Sequence, residues 1–381
     1  MPADATPPLK RLSALGQSVW VDFLSRESIR GGHLQELIDD HDVVGATSNP
    51  TIFQKAMTSG DAYDEQLHEL AAQGVSVPET FWTLAEQDIR DACDLFRPVW
   101  DGELNARPSR DGYVSLEVDP RLAYDTLETF REAIRLHQAV DRPNLMVKIP
   151  ATRPGLAAVE DVVSKGRSIN VTLIFSLTRY AEVAESYIRG IERLVAEGGD
   201  PRKVASVASF FVSRIDTEAD RRLDELDPTR AGGAPNELKG KLAIANARLA
   251  YRHYQEAFSG PRWEYLAGKG ATPQRVLWAS TSTKNPDYPD TLYVEELLGP
   301  DTVNTMPEET IKAYQDHGDP QIRLDSGLED ARRVFAELER VGVDYDDVTA
   351  TLEREGVEKF ADSFDDLMQA LSAKQESLAP A

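Results

Sequence analysis

The sequence predicts an α/β fold, a closed (β/α)8 TIM barrel with extra helices, on three observations. Eight short β-rich runs recur along the chain, amphipathic helical patterns separate most of them, and several runs carry polar residues at alternate positions. The runs are 19–23 (VWVDF), 43–47 (VVGAT), 114–118 (VSLEV), 145–149 (LMVKI), 169–175 (INVTLIF), 204–211 (VASVASFF), 275–280 (RVLWAS) and 301–306 (DTVNTM). Strand alternating with helix makes the strands parallel and puts the helices outside. Eight such units suggest closure, with a doubly wound open sheet as the alternative.

Helical patterns occupy 61–72 and 79–95, ahead of the third strand. Asp119 and Pro120 follow that strand as an expected N-cap and first helical position. Ala123, Leu127, Phe130 and Ile134 then share one apolar helix face. Further helices are expected over 178–196 and 241–258, and the long segment 216–270 holds extra helix plus a loop near 226–236. Residues 325–381 read as an acidic helical tail, in which Tyr345, Val348, Leu352, Val357, Phe360 and Leu367 predict a packed helix pair over 344–372. Residues 1–381 are expected to form a single barrel domain, with barrel strands over about 19–306.

Composition narrows the function. The 381 residues exceed the ~250 of a typical barrel and leave room for insertions. The longest apolar runs are far too short to cross a bilayer. The opening MPADATPPLKRLSALGQSVW has no basic region followed by an apolar run and a cleavage site, and nothing before Trp20 suggests a function. Cys93 is the one cysteine, which suits a reducing, cytoplasmic setting and is expected to be an ordinary helix residue. A formal net charge of −23 argues against nucleic acid or an anionic membrane surface as partner. It leaves room for a small phosphorylated substrate, because a few cations at one site suffice. The six histidines are scattered without metal-ligand spacing, so neither a metal nor another cofactor is expected. Asn170-Val171-Thr172 is formally a glycosylation sequon but falls in an expected buried strand, and Gly268-Lys269-Gly270 lacks the context of a phosphate loop.

Polar residues in a helix-covered parallel sheet are unexpected. Asp22 alternates with Val21 and Phe23, Glu117 with Leu116 and Val118, and Lys148 with Val147 and Ile149, while Asn170 and Thr172 flank Val171. If the apolar neighbours meet the helices, these side chains point into the barrel. Lys148 precedes Pro150 and so sits near the C-terminal end of its strand, where barrel active sites are built. A neutral amine there can attack a ketone and form an iminium that serves as an electron sink. Two carboxylates nearby could shuttle the protons. The competing reading is a buried Lys–Glu pair with only a structural role.

Five ordered segments carry a resemblance. They are 45–56 (GATSNPTIFQKA), 145–152 (LMVKIPAT), 168–176 (SINVTLIFS), 209–216 (SFFVSRID) and 278–307 (WASTSTKNPDYPDTLYVEELLGPDTVNTMP), each on or just after an expected strand. Through them the chain resembles the transaldolase family, in particular its longer bacterial branch. The resemblance implies reversible transfer of a dihydroxyacetone unit from sedoheptulose 7-phosphate to glyceraldehyde 3-phosphate, within the non-oxidative pentose phosphate pathway. It implies Lys148 as the Schiff-base lysine, Asp22 as acid/base for cleavage and addition, and Glu117 with Thr172 as holders of the water used in dehydration and hydrolysis. Asn49, Asn170 and Ser209 would bond the hydroxyls of the three-carbon unit, supported by Thr47, and Arg214 would hold the phosphate. Where shorter relatives place a second arginine, this chain has Lys284. Phe211 would border the pocket and deny its water a third hydrogen bond, where related fructose 6-phosphate aldolases tend to have Tyr. The expected partners are sugar phosphates, with the chain itself a monomer or homodimer. An aldolase that releases dihydroxyacetone to water, and more remotely a non-catalytic barrel acting as a binding protein, are the alternatives.

Overall fold

A computed structural model describes residues 6–102, 111–226 and 235–378, so most of the loop expected near 226–236 lies outside the described residues. The eight expected strands form within about two residues of their sequence bounds: β1 Gln17–Val21, β2 Val43–Ala46, β3 Tyr113–Glu117, β4 Leu145–Pro150, β5 Ile169–Ile174, β6 Ser206–Phe211, β7 Arg275–Ala279 and β8 Thr302–Met306. They pair in parallel in chain order, and β8 returns to β1 with Gln17 opposite Thr302 and Val21 opposite Met306. The sheet is therefore a closed barrel and the open doubly wound alternative falls away.

Two local features shape the barrel. Gly45 on β2 admits the buried Trp20, because a Cβ there would come 2.5 Å from the indole. At the other extreme Leu173 adopts φ +60 inside β5, where the register with β6 breaks between Val171 and Ile174. A bulge of this kind re-aims side chains beside a functional end of a strand. The opposite, N-terminal end is sealed by its own polar residues. Arg275 donates to Asp111 and Ser18 at 2.8 Å each, and Ser18 donates to Asp111 at 2.9 Å. A buried ion pair so fully bonded leaves no unsatisfied charge to recruit a ligand there.

The sequence misplaces one helix. Asp119 does act as a cap, accepting from the Arg121 amide, but only for the single 3-10 turn Pro120–Leu122. The α-helix begins at Thr126, capped by Asp125, and ends at Val140. Its buried side is Thr129, Ala133, Leu136, His137 and Val140, whereas Leu127 is 54% exposed. The inward polar groups are acceptable because they find partners: the Thr129 hydroxyl donates to Leu122 O at 2.8 Å and the His137 ring lies 2.9 Å from Ser168 O.

The tail is corrected as well. Leu328–Val341 is one helix, but 344–372 lies within one continuous helix, Tyr345–Leu378, instead of a pair. It buries Val348, Leu352, Val357, Phe360 and Leu367. Contacts at the C-terminal ends of the barrel strands fix it there. Thr51, after β2, donates to Ser363 at 3.0 Å; Arg121, after β3, lies 3.6 Å from Asp365. Arg179, after β5, pairs with Glu353 at 3.2 Å, and Arg222, after β6, pairs with Asp347 at 2.6 Å. Thr51, Arg121 and Arg179 stand at the starts of the elements after β2, β3 and β5, and Arg222 in the third turn of the helix after β6, so four segments around the barrel hold this one helix across its mouth. No helix among the described residues is long and apolar enough to cross a membrane.

Candidate active site

At the open end of the barrel lies a cavity of about 300 Å³. Its lining includes Asp22, Thr47, Asn49, Lys148, Thr172, Ser209, Phe211, Arg214 and Lys284, nine of the eleven residues singled out in the sequence. Glu117 and Asn170 sit just beneath, both buried. A larger cleft of about 590 Å³ lies against the helices Leu242–Ala257 and Leu328–Val341, but its polar lining is mostly surface charge of both signs with no comparable set.

Lys148 projects from β4 toward this cavity, and the neighbouring strand sets its partner. Glu117 is its register partner on β3, so the two side chains leave the sheet together. The ammonium lies 3.1 Å from Glu117 Oε2 and donates to Ser48 O at 2.9 Å. Burial pushes the Glu117 carboxyl above its ordinary range; Lys148 opposes that shift and Asp22 adds to it. Glu117 Oε1 and the Thr172 hydroxyl are both buried and have no hydrogen-bond partner among the described residues. Two such orphaned groups are rare enough in a barrel core to mark a polar ligand position.

Asp22 follows the end of β1. Its amide extends the ladder by donating to Met306 O at 2.8 Å, and its carboxylate accepts from Thr47 at 2.7 Å. Thr47 in turn shares a 2.8 Å hydrogen bond with Thr305. Thr47 therefore orients the carboxylate directly. Burial raises Asp22 above the ordinary carboxylate range, while Lys148, the Thr47 bond, Arg214 and Lys284 pull it back. A raised carboxylate is a stronger base when ionised.

The amides divide their duties. Asn49 caps the helix Pro50–Thr58, accepting from the Ile52 amide at 3.0 Å, which spends its carbonyl oxygen and leaves its NH2 on the cavity side. Asn170 donates to Ser115 at 3.0 Å and accepts from Ser209 at 2.6 Å, so it anchors Ser209 from below. The sequon at 170–172 is thereby buried inside the barrel.

The rim is cationic. Arg214 is the second residue of the helix Ser213–Glu225, which is tied to β7 through Val212 N to Ala279 O and Ser213 N to Ser280 O, both 3.0 Å. Its guanidinium stands 5.1 Å from the centre of the Phe211 ring and 5.9 Å from that of Phe360. It forms no ion pair among the described residues. Burial lowers its proton affinity, and Asp22 and Glu355 partly restore it. Lys284 is exposed and donates to Ser282 at 2.8 Å. Sequence reasoning did not assign Lys55, Ser282, Thr305 or Phe360 to the site, although all four line the cavity. Lys55 stands within the segment 45–56 and was legible there, whereas Phe360 arrives from the C-terminal helix, outside all five segments. Among the described residues no group of three or more His, Cys, Asp or Glu side chains is placed to hold a metal ion. Cys93 is buried, and burial pushes its thiol up, away from reactivity.

The chain is similar over nearly its whole length to known proteins. The family described as Transaldolase/Fructose-6-phosphate aldolase matches residues 19–371. A curated protein named Transaldolase from Parafrankia sp. (strain EAN1pec) is 53% identical over 373 residues, covering 98% of this chain and 99% of that protein. Similar proteins of the same name occur in Acidothermus cellulolyticus, 52% identical over 97% of this chain and 98% of the relative, and in Mycobacterium bovis (strain BCG / Pasteur 1173P2), 51% identical over 98% of both.

Proposed function

The chain belongs to the transaldolase/fructose-6-phosphate aldolase family, and from that premise we propose that Lys148 carries a dihydroxyacetone unit as a Schiff base between sugar phosphates. Its activity is that of a transaldolase, a transferase. The reaction is sedoheptulose 7-phosphate plus glyceraldehyde 3-phosphate giving erythrose 4-phosphate and fructose 6-phosphate, in the cytoplasm. One observation carries the assignment of the lysine: a buried amine faces a ligand-sized cavity that also holds a separate, partly buried carboxylate, Asp22, and a guanidinium, Arg214, without an ion pair among the described residues. A Lys–Glu pair kept only for structure would need neither.

The steps follow from the geometry. The ketose phosphate binds with its phosphate on Arg214 and Lys284, a planar fork and a point charge. Lys148, having passed a proton to Glu117, attacks the C2 carbonyl. Glu117 then returns a proton to the departing hydroxyl, and the resulting water is held between Glu117 and Thr172, whose orphaned atoms need such a partner. Asp22 takes the proton of the C4 hydroxyl, the C3–C4 bond breaks, and its electron pair moves into the iminium to give an enamine. The aldose phosphate leaves and an acceptor aldehyde takes its place. The enamine carbon adds to it, Asp22 gives the proton back, and hydrolysis through the same water position frees Lys148. Asn49 and Ser209 hold the hydroxyls of the retained unit.

A charge-assisted fork is worth roughly 1.5–3 kcal/mol, so Arg214→Ala should weaken phosphorylated substrates by about 10- to 150-fold. Unphosphorylated fructose should lose far less. Equal losses for both sugars, in steady-state assays side by side, would make Arg214 a fold residue.

Transfer and release are separable. Fructose 6-phosphate should turn over slowly alone and quickly with erythrose 4-phosphate; acceptor-independent turnover would favour the aldolase reading. Phe211 lines the cavity with its ring packed 5.2 Å from that of Phe175. Phe211→Tyr adds a hydroxyl that can orient water, and should raise release while lowering transfer. Both activities falling together would indicate packing alone.

A further inference from the structure

The helix Tyr345–Leu378 comes close to the end of β5 at Gly356. A Cβ there would come 3.2 Å from Leu173 Cδ2, tighter than ordinary contact, and 3.5 Å from the Phe175 ring. Glycine inside a helix costs about 1 kcal/mol relative to alanine, and here it lets the backbone press onto the end of β5. One turn later Phe360 turns down into the cavity. Its ring centre lies 6.0 Å from Lys148 Nζ and 5.9 Å from the Arg214 guanidinium carbon, and the side chain is 5% exposed. Phe211 approaches Arg214 at 5.1 Å. The amine thus has polar partners on the side of Glu117 and Ser48, and also an aromatic ring facing it from the roof of the cavity.

That asymmetry matters for the intermediate between cleavage and addition, and the point rests on the Schiff-base reading above. Release requires Asp22 to protonate the enamine carbon, giving the iminium of dihydroxyacetone. A water oxygen then bonds to the iminium carbon while its proton passes to Glu117. Glu117 moves that proton to the nitrogen, the C–N bond breaks as the carbinol hydroxyl returns its proton to Glu117, and free dihydroxyacetone leaves with Lys148 as an amine. Each step is supplied by groups already at the site, so beside the orientation of the water at Glu117 and Thr172, the access of bulk water sets how long the intermediate waits. A phenyl ring can neither donate to nor accept a conventional hydrogen bond from that water.

We propose that Phe360 is a specificity-determining residue: as the apolar roof over Lys148, it keeps bulk water from the three-carbon intermediate and so favours transfer to an aldose over release. The roof belongs to a helix held by side-chain contacts to elements after β2, β3, β5 and β6 and by Lys374 and Gln375 near its far end. The helix meets the barrel wall at Gly356 against Leu173 of β5, and shortening Phe360 should leave that contact, the Lys148–Glu117 pair and the Asp22–Thr47 bond in place.

The test reads the lifetime of the intermediate. The enzyme is charged with fructose 6-phosphate, the released glyceraldehyde 3-phosphate is removed by a coupling enzyme, and borohydride quenches at intervals count the surviving three-carbon adduct on Lys148 by mass. The adduct carries no phosphate, so any change at Arg214 does not affect its decay. Phe360→Ala should shorten its lifetime roughly tenfold, with Phe360→Leu in between. If the alanine variant fails to fold, by loss of its melting transition, the leucine variant decides. Adducts in the folded variants that decay as slowly as in the wild type overturn the proposal. Absence of any adduct in the wild type overturns the Schiff-base premise and this inference with it, so the two failures are distinguishable.

Discussion

Lys148→Ala is expected to lower the transfer rate on the order of 10⁴-fold or more, roughly 5 kcal/mol of barrier, because no other group can supply a covalent electron sink. The cavity is also lined by Lys55 and Lys284, but both are exposed, and Lys284 is engaged with Ser282. Removing the buried amine strips Glu117 of its cation and Ser48 O of a donor. Breaking a buried pair in this way normally costs a few kcal/mol by stranding a charge. Glu117 has an escape, since burial already favours its protonated form and removal of Lys148 removes the main opposing influence. The variant should therefore fold and still bind sugar phosphates through Arg214, measurable by calorimetric titration with fructose 6-phosphate. A variant that keeps even a tenth of wild-type transfer would remove Lys148 from the chemistry.

Asp22→Ala and Glu117→Ala are each expected to cost about 10²- to 10⁴-fold in turnover, the range for loss of a general acid–base group, but at different steps. Asp22 is held by Thr47 at the end of β1, apart from the ion pair of Lys148 with Glu117. Without Asp22 the ketose imine should form and then stall, so borohydride should capture a six-carbon adduct. Without Glu117 the formation and hydrolysis of the imine should slow, and total adduct should accumulate late. A second consequence concerns pH. Burial raises the folded-state pKa of both carboxyls above the unfolded values, so ionising them costs stability. That cost is absent below the unfolded pKa and grows as pH rises toward the folded one. Finding only a three-carbon adduct in Asp22→Ala would detach Asp22 from cleavage.

The barrel was legible because its signal is redundant. Each strand is a short apolar run, and eight in succession with helices between them leave few architectures. The ladder partners Glu117 and Lys148 were legible as polar residues breaking apolar strands, since no helix-covered strand tolerates them without a partner. What failed was local. The helix after β3 was started too early because Asp119 is a genuine cap, for a turn too short to continue. Its face was shifted: Phe130 does pack on the core, but Leu127 at the same spacing is exposed, while Thr129 and His137, polar but bonded to backbone carbonyls, take the buried side. Phe360 could not be read as a site residue at all. An aromatic at apolar spacing in a helix reads as core, and only tertiary structure shows that this piece of core covers an amine.

The most direct measurement is peptide mass mapping after borohydride reduction in the presence of fructose 6-phosphate. The account predicts a reduced three-carbon adduct on Lys148 in the wild type, absent from Lys148→Ala. An adduct on Lys55 or Lys284, or none on any lysine of an actively transferring enzyme, would contradict it.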